Sequence, residues 1–322
     1  MTLLIQFQMI KKNSITLFVC LLTSFFFSFG FCQTNKKVLR TIVIDPGHGG
    51  DFTGAKGSFS YEKDVSLAVS LKLGEAIKKE FPDINVVFTR TTDANAGNKT
   101  TLREDLQYRA NLANASHGDL FIAIHCNAAP PIRHSEVIGH KTVTTKKKKK
   151  KYTRKVPIYR YWYTPNPAAG TETYIWAINK SDDKVNSVSK NDDYGEIDST
   201  SDLTLPDPSD PAERARMLVY AQNYFRKSMA FGDLVEKGFQ SQGRVFRGGV
   251  KQRNDKGIWV LQATGMPSVL VEIGFITNKE EEDYINSDKG QDEIANNIVK
   301  AIKEYKQKLE SRQITADDKK AF

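Results

Sequence analysis

Residues 42–50 read IVIDPGHGG. An Ile- and Val-rich run too short for a helix ends in an acid, a proline and a glycine-rich turn carrying His48. A buried strand delivers a side chain to the edge of an α/β sheet in this way, and binding sites gather at such edges. Three further stretches share this design or serve it: Glu62-Lys63-Asp64, FIAIHCNA at 121–128 and LVEIGF at 270–275. We read His48, Glu62 and His125 as ligands of one metal ion and Glu272 as the group that handles protons. Two imidazoles and one carboxylate leave a coordination position open, which marks a catalytic zinc site rather than a structural one. Such a site activates water near neutral pH, and a second carboxylate relays the proton to a leaving nitrogen.

Outward from these stretches, apolar strands alternate with amphipathic helices. That pattern predicts an α/β fold: a single layered domain with a central, mostly parallel or mixed sheet flanked by helices, with two insertions. Strands are expected at 41–45, 85–89, 120–125, 171–178 and 269–273. A helix beginning at Glu62 is marked by Val65, Val69, Leu73, Ala76 and Ile77 and closed by Pro82. Glu62 thereby falls in a first helical turn, where negative charge is favoured. A last helix carries Ile294, Ile298, Ile302 and Tyr305 on one face, and a polar tail occupies 311–322.

These residues carry a family resemblance. The chain resembles the zinc-dependent N-acetylmuramoyl-L-alanine amidases of the amidase_3 type, through DPGHGG, EKD before a helix, a His-x-Asn strand, Gly170-Thr171-Glu172-Thr173-Tyr174, Arg247-Gly248-Gly249-Val250-Lys251 and MPSVLVEIGFITN. The resemblance runs from about Thr41 to about Tyr305 and implies one Zn2+ per chain on His48, Glu62 and His125, with Glu272 as the catalytic acid-base. It further implies cleavage of the amide between N-acetylmuramic acid and L-alanine in peptidoglycan, for wall remodelling or daughter-cell separation, with an activator protein as a partner. Singly, His48 reads as a turn residue and His125 as a core residue; jointly with Glu62 and Glu272 in family order they read as a metal site. The family usually has Ser where this chain has Ala123, a change that removes no ligand. Cys126 should face away from His125 because neighbouring strand residues point to opposite sides. Asn127 shares the ligand's side and is a candidate to orient site or substrate, and Lys251 is a candidate for the substrate cleft. Arg103, Arg109 and Asp93 read as structural polar groups. Two other functions compete: a noncatalytic peptidoglycan-binding or regulatory protein on the same fold, and a zinc carboxypeptidase acting on the peptide stem.

The 322 residues, 39% hydrophobic and 26% charged, have the composition of a soluble globular protein. Residues 1–32 differ: Lys11 and Lys12 precede an apolar run from Ile15 to Phe31, with small residues before Gln33, the pattern of a cleaved export signal. Retention as a membrane anchor and acylation of Cys32 are the competing readings, the second disfavoured by bulky Phe31. Export places the protein in the periplasm or cell envelope. The catalytic domain then spans 33–310. Its first insertion, 129–169, sets eleven basic residues against the single acid Glu136, a net of +10 in a chain of net +9. It reads as a solvated hairpin or loop, or as a handle for an anionic envelope polymer or membrane surface through Lys146–Lys151. An exported chain without nucleic-acid-binding motifs excludes nucleic acid as partner. The second insertion, 180–210, is rich in Asp and Ser. At this place in the chain, members of the resembling family can carry an inhibitory segment, and Glu196 and Glu213 are the candidate blocking ligands.

Overall fold

The computed structural model describes residues 39–147, 150–180, 182, 184–185 and 209–311. The expected export signal, most of the acidic insertion with Glu196, and all but the first residue of the tail lie outside the described residues.

Among the described residues six strands form one sheet in the order β2-β1-β3-β8-β6-β7, and two more form a separate hairpin. In chain order the elements are β1 (Thr41–Pro46), α1 (Glu62–Glu80), β2 (Asn85–Phe88), α2 (Leu102–Ala115), β3 (Leu120–Asn127), β4 (Ile132–Lys147), β5 (Lys150–Thr164), β6 (Glu172–Ile175), α3 (Pro211–Ser241), β7 (Lys251–Gln252), α4 (Trp259–Ala263), β8 (Ser268–Phe275), α5 (Lys279–Asn286) and α6 (Asp288–Glu310). β1 pairs in parallel with β2 on one side and with β3 on the other, and β8 is parallel to β3. β6 then runs antiparallel to β8. The chain leaves β1 toward one side and returns on the other, so β1 and β3 form the switch point beyond whose carboxyl ends α/β sheets place their ligands.

The alternation of strand side chains sorts the core into two layers. Ile42, Ile44, Ile122, Ile124, Val271 and Ile273 pack on the apolar sides of α1, α3 and α6, where Val69, Leu73, Phe231, Ile298 and Ile302 are buried. Val43, Phe121, Ala123 and Leu270 face the other way, toward Ala113 of α2, Val260 and Leu261 of α4, and Trp176. Ala123 therefore sits in apolar company, where a hydroxyl would need a partner. The strand expected at 171–178 is shorter, Glu172–Ile175, because the chain turns into a 3-10 turn at Ile178–Lys180.

Helix ends are fixed locally. Thr101 caps α2 by accepting from the Glu104 backbone N–H at 3.3 Å while donating to the Glu104 carboxylate at 2.8 Å. Asn278 and Ser287 cap α5 and α6 by accepting from first-turn backbone N–H groups. α1 has no side-chain cap. Its first residue is Glu62, whose carboxylate is engaged elsewhere. No described helix is long and apolar enough to cross a membrane.

Candidate metal centre

His48 reaches the site through a backbone that few residues tolerate. It lies at φ 61°, the left-handed region, a conformation that for a non-glycine residue is held by its surroundings. Two buried arginines do the holding. Arg109 donates to the carbonyls of Pro46 at 2.7 Å and His48 at 2.6 Å, and forms ion pairs with Asp45 at 2.7 Å and Asp105 at 2.6 Å. Arg90 donates to the carbonyls of Pro46, Gly47 and Lys63, at 3.0, 2.8 and 2.8 Å. Gly47 is required by crowding: a Cβ there would lie 2.5 Å from the His125 ring.

Glu62 is buried at the start of α1 and faces both imidazoles. Its Oε2 lies 3.1 Å from His48 Nε2 and its Oε1 2.8 Å from His125 Nδ1. Backbone N–H groups of Ala55 and Cys126 donate to the same two oxygens at 2.8 and 3.0 Å and fix the carboxylate plane. Burial pushes the Glu62 carboxyl up, but the hydrogen bonds and charge of His125 and His48 hold it well below the usual carboxylate range. The ligand atoms of His48, Glu62 and His125 all lie within 4.8 Å of one another, so this group can hold a metal. The donor set fits a zinc ion, which takes imidazole nitrogen and carboxylate oxygen at about 2.0–2.2 Å, and the backbone donors and arginine clamps supply the outer support such ligands need.

Glu272 stands directly across from His125 in the β3–β8 register. It is 6% exposed, and its Oε2 has no hydrogen-bond partner among the described residues. Burial, reinforced by the charge of Glu62, raises its carboxyl to about 8; Arg253, 3.6 Å away, opposes the shift. A buried carboxyl with one free oxygen beside three potential ligands is equipped to take up and return a proton near neutral pH. A cavity of about 420 Å³ opens here, and His48, Glu62, His125, Asn127, Arg253 and Glu272 are among its lining residues.

Glu172, on the neighbouring strand β6, pairs across from Glu272. It accepts from Asn127 at 2.7 Å, the Tyr174 hydroxyl at 2.7 Å, Arg247 at 2.6 Å and Lys251 at 2.7 Å. Burial raises its carboxyl, yet these donors bring it down to about 2. Asn127 and Lys251 are thus tied to Glu172; Asn127 also lines the cavity, and Lys251 does not. Glu213 falls in the first turn of α3.

Sequence reasoning missed three contributors. Glu172 and Arg247 were visible only as letters of the GTETY and RGGVK segments, and Arg253 had no signal. Arg109 and Asp93 hold the structural places expected of them. Asp93 accepts from Gly50 N at 2.9 Å and from Lys63 at 2.6 Å. Cys126 is buried in the first core layer, while its backbone N–H donates to Glu62 Oε1.

Comparison with known proteins bears on this arrangement. The family model described as N-acetylmuramoyl-L-alanine amidase matches residues 42–304. The amidase AmiC of Escherichia coli is 28% identical over 272 residues, 82% of this chain and 52% of that protein, so the chain spans about half the length of that relative. The germination-specific N-acetylmuramoyl-L-alanine amidase of Bacillus subtilis is 25% identical over 272 residues, 83% of this chain and 79% of that one. Among solved structures, the CwlD amidase of Clostridioides difficile, in complex with the GerS lipoprotein, superposes with a TM-score of 0.51 at 22% identity, covering 83% of this chain and 98% of that one, and shares the fold. The match begins at the strand that leads to His48 and ends within the last helix, and on that extent the chain belongs to the N-acetylmuramoyl-L-alanine amidase family of hydrolases.

Proposed function

We propose that the protein is an exported, zinc-dependent amidase that cleaves the bond between N-acetylmuramic acid and L-alanine in peptidoglycan, acting in the periplasm or cell envelope. The observation that carries this reading is the convergence of His48, Glu62 and His125 beside the buried, raised carboxyl of Glu272. A zinc ion held by the three ligands supplies Lewis-acid polarisation of the scissile carbonyl and activates water near neutral pH. Glu272 takes the proton of the attacking water on its free Oε2 and delivers it to the departing amide nitrogen. Arg109 and Arg90 keep His48 on its strained turn, and the backbone N–H groups of Ala55 and Cys126 keep Glu62 in plane. The Glu172 network fixes Asn127 on the cavity wall.

Purified peptidoglycan digested with and without chelator, with products identified by mass, tests the reading. Free stem peptides beginning with L-alanine, released only without chelator, are the expected result. Release of single D-amino acids from the stem would instead identify a carboxypeptidase, and binding without release a noncatalytic protein.

A further inference from the structure

The basic insertion is an arm rather than a loop. β4 and β5 pair from Ile132↔Thr164 to Lys147↔Lys150 with a single bulge between Val137 and Gly139, a ribbon roughly 50 Å long at about 3.4 Å per residue. Its root is tied to the body by Ala129 N, which donates to Thr277 Oγ1, and closed across the two strands by Asn166, which donates to the Pro130 carbonyl, both at 3.0 Å. The register sorts the side chains. One side carries Tyr159, Tyr161 and Tyr163 near the root and Lys155, Lys151 and Lys146 farther out. Tyr159 and Tyr161 stack at 6.0 Å, and the Arg133 guanidinium lies 4.0 Å over the Tyr161 ring. The other side carries Trp162, stacked with His134, and then Arg160, Arg154 and Lys150. The three tyrosines are 45 to 63% exposed. Large rings left open to solvent on a ribbon that, among the described residues, packs mainly strand against strand beyond its root need an occupant to explain them.

The root of the arm adjoins the metal cavity. The cavity's lining includes Ala55 and Ala128, and the residues that follow each of them, Lys56 and Ala129, line a second groove of about 430 Å³ together with Pro131, Tyr163 and Asn166. Two chain segments thus pass from one depression directly into the other, and the second ends on the first tyrosine of the arm. A lipid surface would meet one side of the ribbon, whereas cations occupy both sides here and four of the five tyrosine and tryptophan residues, Tyr159, Tyr161, Trp162 and Tyr163, sit in the root half, with Tyr152 alone near the tip. An elongated anionic polymer satisfies the arrangement: sugar rings present an apolar C–H face to the aromatics, and carboxylates on the same polymer meet the cations at any azimuth. We propose that the β4–β5 arm is a second binding surface for the glycan strand of peptidoglycan and the carboxylate-bearing peptide stems attached to it, holding the polymer along the arm so that it enters the metal cavity by way of the root groove. This rests on the amidase reading above.

Two arm variants of the full chain test it. In one, Lys146, Lys150, Lys151, Arg154 and Lys155 become Gln. In the other, Tyr159 and Tyr161 become Ser, with the Phe pair as the conservative control. Cosedimentation with purified sacculi, in a Glu272→Gln background so that the polymer stays intact, should weaken by about tenfold or more for the Gln variant at low salt, with most of its salt dependence gone. The Ser pair should lose about tenfold at every salt concentration while the Phe pair binds like the parent. With Glu272 restored, arm variants should keep the parent's rate on a soluble monomeric muramoyl peptide and lose rate on sacculi. Parent-like sacculus binding by both variants overturns the proposal. So does loss of binding to phosphatidylglycerol vesicles with sacculus binding unchanged, which would assign the arm to a lipid surface. If the parent releases no stem peptide yet the arm variants lose sacculus binding, the amidase reading fails and the arm proposal stands.

Discussion

Glu272 destabilises the metal-free protein that carries it. Its folded carboxyl titrates at about 8 against an ordinary 4.5, so between those values the unfolded chain is ionised while the native one keeps its proton, and stability falls as pH rises through that window. Glu272→Gln removes this penalty. The metal-free variant should melt above the metal-free parent at pH 8, with the difference vanishing below 4.5, while the zinc-loaded variant turns over about a hundredfold more slowly or worse at unchanged metal content. Gain of thermal stability with loss of rate is the signature of a group kept for chemistry, and loss of zinc would instead make Glu272 a ligand. Glu172 has the opposite sign. Its carboxyl is lowered to about 2 by its four donors, so it contributes stability above the ordinary 4.5 that disappears as pH falls from 4.5 toward 2. Glu172→Gln should therefore lower the melting temperature at neutral pH and flatten its acid dependence in that window, as followed by thermal scans across pH.

At the level of elements, the ligand-bearing units were legible because each rests on a local rule. β1 and β3 are short apolar runs with polar residues near their ends, β8 is an apolar run with Glu272 set within it, and α1 has a clear apolar stripe with Pro82 beyond its end. β4 and β5 were legible only as one alternative, a solvated hairpin or a loop, since they alternate no apolar face against a core and are strands by pairing with each other. α3 and the two-residue β7 owe their places to tertiary contacts, Phe231 and Val235 with the first core layer and Lys251 with Glu172. The Glu172 cluster gathers donors up to 79 positions from Glu172 itself, a juxtaposition that no window of sequence displays. The junction between β1 and α1 offers a sharp check. Gly47→Ala places a methyl against the His125 ring, so zinc affinity should fall by about tenfold or more, as metal competition would read, and more than the melting temperature of the metal-free fold suggests.

For the molecule as a whole, one ion would join a turn after β1, the start of α1 and the end of β3. Binding confined to the native state raises stability by mass action, about 2.7 kcal/mol at a free zinc concentration one hundred times the dissociation constant. Chelation should therefore lower the melting temperature of the parent and leave that of His125→Ala nearly unchanged, a comparison that calorimetry makes directly. Cys126 gives the same opening event a chemical clock. It is the single cysteine after residue 32, it is buried at 4% exposure within the ligand strand β3, and burial together with the charges of Glu62 and Glu272 pushes its thiol well up. A thiol so placed is inert to alkylating reagents until β3 parts from α1. In a chain starting at residue 33 the rate at which a maleimide finds Cys126 thus counts how often the catalytic half of the sheet comes apart, molecule by molecule, without any added probe.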